Sequence, residues 1–541
     1  MKKLVSRLMA VLMAMTMILS MSMTAFAAEA PKGTLTVNNT VAGKTLDLYQ
    51  IFTATKNAAG NVAYTLNTEY EGFFQNKISG ASTLKGEALS EKAYDYVKTQ
   101  VGPDGSNGAA FAKDIMGWIL GNTATVEATH TTVTTTDTTT VINNLDYGYY
   151  VVYPLGATDT SKEPGDETVK SVASLVSVTG DTSINMKSNY PTVVKKVNNK
   201  NADDVNIGDT VTYTLTSKVP DMTGYTSYVF NFKDTLTKGL TFGSITSVKI
   251  GDVTINADTD GTKAENTYTL TTNNNEDGTT EIKIEMNKFL ASNANKARQE
   301  IKVTYTATLN KDAVTGFDPN TNKATVEYSN KPGTDNKGES EPGIVDVHTF
   351  NFTIFKYYLK GADKTGLANA EFELYKANEA GDAADENAKI NIVDEGSGVY
   401  RQATADEAKT ADFTSAKIVS DADGKVFVKG LDVGTYYLRE TKAPEVYNKL
   451  LSDIKVKIEA AYDTTTGKLT SYTVTYTYNN VTKSSTSNSA ETSPEVPVEN
   501  KTGAQLPSTG SKGALMVTLA GIVLFGALTA SKAFGKKKAK N

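Results

Sequence analysis

The feature that most constrains this chain is a strict two-residue alternation in segments rich in threonine, valine and tyrosine. In TVTYTLTSKV (210–219), QEIKVTYTATL (299–309) and TSYTVTYTYNN (470–480), apolar side chains recur at every second position. Successive side chains of a strand point to opposite faces, so such segments suit antiparallel strands with one wet and one buried face. Helical periodicity is confined to LSEKAYDYVKTQV (89–101) and AAFAKDIMGWILG (109–121), which predict helices in the first domain. Trp118 there reads as a core anchor, and the threonine-rich run 129–140 as a strand or an exposed loop. The pattern predicts a mainly all-β protein of tandem immunoglobulin-like β-sandwich domains, the first with one or two added helices.

One strand breaks the alternation chemically. In GTYYLRETKAP (434–444), Tyr436, Leu438 and Glu440 share a face, so a carboxylate points where aromatic and aliphatic groups point. Burying that charge costs several kcal/mol unless something pairs with it or keeps it protonated. In FTIFKYYLKGADKTGLANAEFELYK (352–376), Lys356 likewise shares the face of Phe352 and Ile354. An internal repeat sets the two beside each other. VFVKGLDVGTYYLRET (426–441) resembles TVINNLDYGYYVVYPL (140–155), with Gly434 over Gly148 and Leu431 over Leu145, and the opening of 352–376 resembles LTVNNTVAGKTLDLYQ (35–50). In this alignment Glu440 stands over Pro154 and Lys356 over Asn39. A lysine and a glutamate present together in one copy and missing together from the other suggest a unit.

Composition narrows the chemistry. The chain has no cysteine and two histidines, His130 and His348, which excludes disulfides and thiol nucleophiles and nearly excludes a multi-histidine metal site. Sixty-one acidic against 55 basic residues give no footprint for nucleic acid. No nucleophile elbow, HExxH motif or placeable carboxylate pair stands out, so neither an enzyme nor a cofactor is expected. A length of 541 residues suits three or four domains.

Both ends carry address signals. Residues 1–27 read as a signal peptide, with Lys2, Lys3 and Arg7, an apolar run, and Ala25-Phe26-Ala27 for cleavage; an N-terminal membrane anchor is the alternative. Residues 513–530 are almost wholly apolar and, as a helix rising about 1.5 Å per residue, suit a bilayer core. Lys536, Lys537 and Lys538 follow, and Leu506-Pro507-Ser508-Thr509-Gly510 precedes. Polar stretches at 185–192 and 328–343 and a low-complexity excursion at 483–497 punctuate the interior. The expected domains are therefore 28–187, 188–345 and 346–502, followed by the end segment 503–541.

The pentapeptide, apolar helix and basic tail together resemble the cell-wall sorting signal of Gram-positive surface proteins, in which a sortase cleaves after the threonine, here at Thr509–Gly510. A tail anchor with a chance LPSTG is the alternative. YYLRETKAP resembles the E-box of Cna type B domains in Gram-positive pilins and adhesins. The resemblance implies an amide between Lys356, as nucleophile, and Asn500 of VPVENKTG, with Glu440 as the promoting acid and Asn480 as the fallback acceptor. Val446 departs from the glycine usual after Ala-Pro, which should alter a turn. The first domain is Cna B-like without these residues. The middle domain resembles the fimbrial relative of the Cna type A fold. That assigns Lys195 of PTVVKKV, Asp234 of FKDTLTKGLTF and Asn322 of NKATVEYSN, with Lys196 and Asn330 as register alternatives and turn capping as the alternative role for Asp234.

The whole layout resembles a sortase-assembled backbone (major) pilin. It implies covalent joining to other copies through a junction lysine, here Lys187 of SINMKSNYPT, although the family's Tyr-Pro before that lysine is missing and Tyr190-Pro191 follow instead. An ordinary linker lysine is the alternative. The implied partners are a pilin-class sortase, a housekeeping sortase, accessory or tip pilins and peptidoglycan, at the cell surface, in support of adhesion. A monomeric LPxTG-anchored adhesin is the other reading.

Overall fold

The computed structural model describes residues 31–102, 105, 107–134, 138–158, 172–186 and 189–502. The segment 1–27 read as a signal peptide, Lys187, the LPSTG pentapeptide and the apolar segment 513–530 lie outside the described residues. Among the described residues, no helix is long and apolar enough to cross a membrane. The chain divides into two compact units. One comprises residues up to Asn201, Val211–Ala307 and Thr321–Val345; the other comprises Ala202–Thr210, Thr308–Asn320 and residues from Asp346 on.

The first unit begins with a strand, Lys32–Asn38, held between an antiparallel neighbour, Thr139–Asp146, and a parallel one, Thr182–Asn185. Facing it is a sheet in the order Val62–Leu66, Thr45–Lys56, Gly148–Pro154, Ser174–Val178. Leu46 to Phe52 are buried without a break because Thr45–Lys56 is covered on both faces. One face packs on Leu35 and Val37 of the opening strand. The other packs on an aromatic cluster of Tyr49, Phe52, Phe73, Phe74 and Tyr149 under the helices. Those helices are Glu71–Lys77, Gly86–Val101 and Gly108–Gly121, one more than the periodicity predicts. The extra one has seven residues, about two turns, too few to register a 3.6 period. Trp118 packs edge-on against Phe73, their rings 5.8 Å apart, as a core anchor does. The threonine-rich run supplies His130–Val133 and the start of Thr139–Asp146.

The same unit holds the middle sandwich. One sheet runs Asn320–Ser329, Phe230–Leu236, Thr280–Met286, Thr267–Asn274; the other runs Leu240–Ile250, Glu300–Leu309, Thr210–Lys218, Val194–Val197. The alternation is realised directly: Ile301, Val303, Tyr305, Ala307 and Leu309 are all fully buried. Within the polar stretch 328–343, a short strand, Lys337–Glu339, pairs back onto Glu327–Ser329.

In the second unit the opening strand, Phe350–Lys360, repeats the first domain's arrangement: antiparallel to Lys425–Leu431 and parallel to the closing strand Glu495–Glu499. Opposite lies the sheet Glu371–Ala377, Gly434–Lys442, Ile454–Tyr462, Leu469–Tyr478, Val481–Ser487. The repeat extends to detail. Tyr150 donates its hydroxyl to the Asp146 carbonyl at 2.7 Å, and Tyr436 donates to the Asp432 carbonyl at 2.9 Å. The segment 483–497, expected as a low-complexity excursion, instead contributes to two strands, Val481–Ser487 and Glu495–Glu499. Hydroxyl pairs Thr473–Thr486, Thr475–Ser484 and Thr477–Thr482 bond across the first of these at 2.8 to 2.9 Å. Serine and threonine there act as a cross-strand ladder, which composition alone hides.

Candidate cross-link sites in the middle and last domains

In the last domain, alternation along Phe350–Lys360 turns Phe352, Ile354 and Lys356 into the core together, and Lys356 is fully buried. Glu440 arrives from the opposite sheet, on the strand Gly434–Lys442, with 2% exposure. Asn500 follows the closing strand, where Val496 and Val498 fix the inward face, and its N–H donates to the Tyr357 carbonyl at 2.8 Å. The three side chains meet. Lys356 Nζ lies 2.8 Å from Glu440 Oε1 and donates to Asn500 Oδ1, and Asn500 Nδ2 donates to Glu440 Oε1 at 3.3 Å. The other carboxylate oxygen accepts the Leu450 N–H at 2.7 Å. The carboxyl thus faces the amide nitrogen and the amine the amide oxygen; half a turn of the amide exchanges the two contacts. Asn480 sits in an exposed turn between two strands, away from this arrangement.

Burial lowers the Lys356 amine to about 8 against the opposing pull of Glu440. Its Nζ also sits 5.6 Å above the Phe372 ring. A larger share of neutral, nucleophilic amine follows near neutral pH.

The middle domain assembles its residues from both sheets. Lys195 comes from Val194–Val197, while Asp234 and Asn322 come from adjacent antiparallel strands of the facing sheet, where Asp234 pairs with Ala324 and Leu236 with Asn322. All three are buried: Lys195 at 4%, Asp234 at 3% and Asn322 at 0% exposure. Lys195 Nζ lies 2.5 Å from Asp234 Oδ2, and burial lowers this amine too, to about 8. A fourth residue, missed by sequence reasoning, joins them. The Tyr305 hydroxyl donates to Asp234 Oδ2 at 2.6 Å and accepts from Lys195 Nζ at 2.9 Å and Asn322 Nδ2 at 2.7 Å. Lys196, on the other face, bonds the Asn201 side chain, and Asn330 lies past the end of its strand. The aspartate is a buried member of this cluster, not a turn cap.

The first domain's equivalents differ. Asn39 falls just past the opening strand with φ 58°, and Pro154 ends its own strand. Around Lys187, the flanking Met186 is buried and Asn189 bridges to Thr158.

The fold and its buried lysine–acid–asparagine clusters define a class: tandem β-sandwiches with polar clusters in their cores. Residues 356–473 match the family model of the SpaA prealbumin-like fold domain, and residues 207–332 that of Gram-positive pilin backbone subunit 2, a Cna-B-like domain. The latter description is Cna-B-like where the sequence resemblance was to the type A relative. These two segments, together under half of the chain, carry the likeness to Gram-positive pilin backbone domains. Lys356, Glu440, Asp234, Tyr305 and Asn322 fall within the matched segments.

Solved structures similar to it include three major pilins. The T6 backbone pilin of serotype M6 Streptococcus pyogenes is 17% identical over 88% of this chain and 100% of that one, with a TM-score of 0.43. The major pilin SpaA of Corynebacterium diphtheriae is 15% identical over 86% and 99%, with a TM-score of 0.42. The pilus 2b backbone protein of group B streptococcus is 25% identical over 58% and 99%, with a TM-score of 0.39. No curated protein sequence matches the chain.

Proposed function

We propose that this chain is the structural shaft subunit of a covalently polymerised surface pilus, and that its middle and last domains each close an internal lysine–asparagine amide. The observation that carries the reading is the buried contact of Lys356, Glu440 and Asn500, with the lysine on the opening strand and the asparagine just past the end of its parallel neighbour. Glu440 takes one proton from the Lys356 ammonium, and the free amine attacks Cγ of Asn500. The new C–N bond forms as Nδ2 leaves. The second amine proton passes to the carboxyl, one proton passes from the carboxyl to Nδ2, and ammonia departs with Glu440 left protonated. Packing holds the partners in reach, so no external enzyme is required. Lys195, Asp234 and Asn322 act in the same roles in the middle domain.

Likeness to Gram-positive pilin backbone domains supports the shaft role. In this reading a pilin-class sortase opens the Thr509–Gly510 bond and passes the Thr509 carbonyl to Lys187 of the next copy. A housekeeping sortase finally joins the fibre to peptidoglycan, and accessory pilins share the same chemistry. Head-to-tail joining of identical subunits is a contact that does not close, so it builds a filament. The test is a muramidase extract of cell wall, boiled in SDS and blotted beside a Lys187→Ala strain. A ladder that collapses to monomer in the variant supports both the shaft role and the lysine. A ladder that persists moves the junction, with Lys200 next; a single band in both strains leaves the wall-anchored adhesin.

A further inference from the structure

We propose that Tyr305 is a catalytic group of the middle-domain site, its hydroxyl relaying a proton from Asp234 to the departing amide nitrogen of Asn322. This rests on the amide-forming reading given above and adds a residue to it. The case begins with reach. In the last domain one glutamate oxygen meets both the amine, at 2.8 Å, and the amide nitrogen, at 3.3 Å. Asp234 is one methylene shorter. Its Oδ2 holds Lys195 at 2.5 Å, and the described hydrogen bonds from it to Asn322 run through Tyr305, at 2.6 Å and then 2.7 Å.

The tyrosine is built to hold that position. Its ring is fully buried, stacked on Tyr213 with centroids 5.2 Å apart, and tilted against Phe242 at 5.8 Å. It lies on the central part of a sheet whose edge strand carries Lys195. Each contact of the hydroxyl is to a reacting or proton-carrying group: one donated bond to the acid, and two accepted bonds from nucleophile and leaving group. Burial keeps its pKa well above the usual phenol range, so it carries its proton. The neighbouring alternation makes the chemistry specific to this position, since Val303 and Ala307 on the same face bring only hydrocarbon.

The step balances. Lys195 gives one ammonium proton to Asp234 Oδ2 and attacks Cγ of Asn322. As the C–N bond forms and the C–Nδ2 bond breaks, Tyr305 gives its proton to Nδ2 and takes one from Asp234. The second amine proton then returns to Asp234. A secondary amide, one ammonia, a protonated Asp234 and an intact tyrosine result.

The test follows cross-link formation in the full chain after cell-free synthesis, using mass loss of ammonia in middle-domain and last-domain peptides. Chains compared are wild type, Tyr305→Phe, Asp234→Ala, and the double variant Asp234→Glu with Tyr305→Phe. Tyr305→Phe should slow middle-domain closure by about 100-fold or more, the scale of a lost acid–base group, and leave last-domain closure unchanged. The double variant should recover much of the rate, because a glutamate reaches the amide without a bridge, as Glu440 does. Closure of Tyr305→Phe at the wild-type rate overturns the relay. So does a Tyr305→Phe chain whose middle domain loses protease resistance and is not rescued by glutamate, for that is a packing role. A wild-type chain that retains its middle-domain ammonia, like Asp234→Ala, is a separate failure: it removes the amide reading itself, and the relay with it.

Discussion

The first and last domains thread their strands alike and part company at one place. In both, the opening strand lies between an antiparallel and a parallel neighbour, and a tyrosine two residues into the strand Gly148–Pro154 or Gly434–Lys442 bonds back to a carbonyl four residues upstream. The first domain's opening strand stops at Asn38, whereas the last domain's runs through Lys356 to Lys360. Pro154 stands where the other has Glu440. The first domain instead covers its second sheet with three helices over an aromatic cluster. The fold therefore does not require the polar cluster. It is an addition to a sandwich that closes without it, and its chemistry should be separable from folding.

The largest test of that separation is Glu440→Ala. It should abolish ammonia loss in the last domain and strand a buried ammonium, costing about 3–5 kcal/mol beyond the missing tie. Urea denaturation of the last domain reads the loss, with first-domain unfolding unmoved. Replacing the cluster with hydrocarbon (Lys356→Met, Glu440→Leu and Asn500→Leu together) should also prevent the amide but destabilise less than Glu440→Ala, since no charge is left unpaired. Equal losses would mean the cluster is needed to fold.

The reverse graft, Asn39→Lys with Pro154→Glu and the native Asn185 of the parallel neighbour as the available acceptor, should yield no ammonia loss in the first domain by intact mass. Position 39 leaves the strand with φ 58°, so a lysine there is not aimed into the core. Ammonia loss from this graft would show that the residues alone suffice.

A smaller effect should appear with pH in an Asn500→Ala chain, whose Lys356 stays an amine. Its folded pKa of about 8 lies below the ordinary 10.5, so between those values the unfolded state binds more protons. Last-domain stability should rise across that window and be flat below it. Burial also lowers Lys44 in the first domain, so the control is a Lys356→Met chain, whose last domain should lose the rise. Smallest is Val446→Gly. This β-branched residue has φ 66° and is 83% exposed, so glycine should relieve strain and raise stability by about 1 kcal/mol, read as a higher urea midpoint.

Much of the last-domain cluster was legible because strand alternation assigns faces without a structure. Lys356 and Glu440 announce themselves as charges on apolar faces, and Asn500 follows Val496 and Val498 at the same spacing. Tyr305 was not legible. In VTYTATL a tyrosine at an inward position is an ordinary core aromatic, and what sets it apart is a hydroxyl whose partners lie 110, 71 and 17 residues away in sequence. The helix Glu71–Lys77 was missed for want of length, and the strand Val481–Ser487 because its pairing rests on hydroxyls instead of an apolar stripe.

The parallel pairing of the opening and closing strands in the last domain has a mechanical consequence. A pull applied at the two ends of that domain enters along Phe350–Lys360 and leaves along Glu495–Glu499, so it loads the ladder between them in shear. With Lys356 and Asn500 joined, the load passes from one strand to the other through a single amide. The 144-position separation between them then never enters the taut path. At about 3.4 Å per residue, that withholds on the order of 500 Å of slack, and the domain behaves as an inextensible link whose interior need not resist the pull at all.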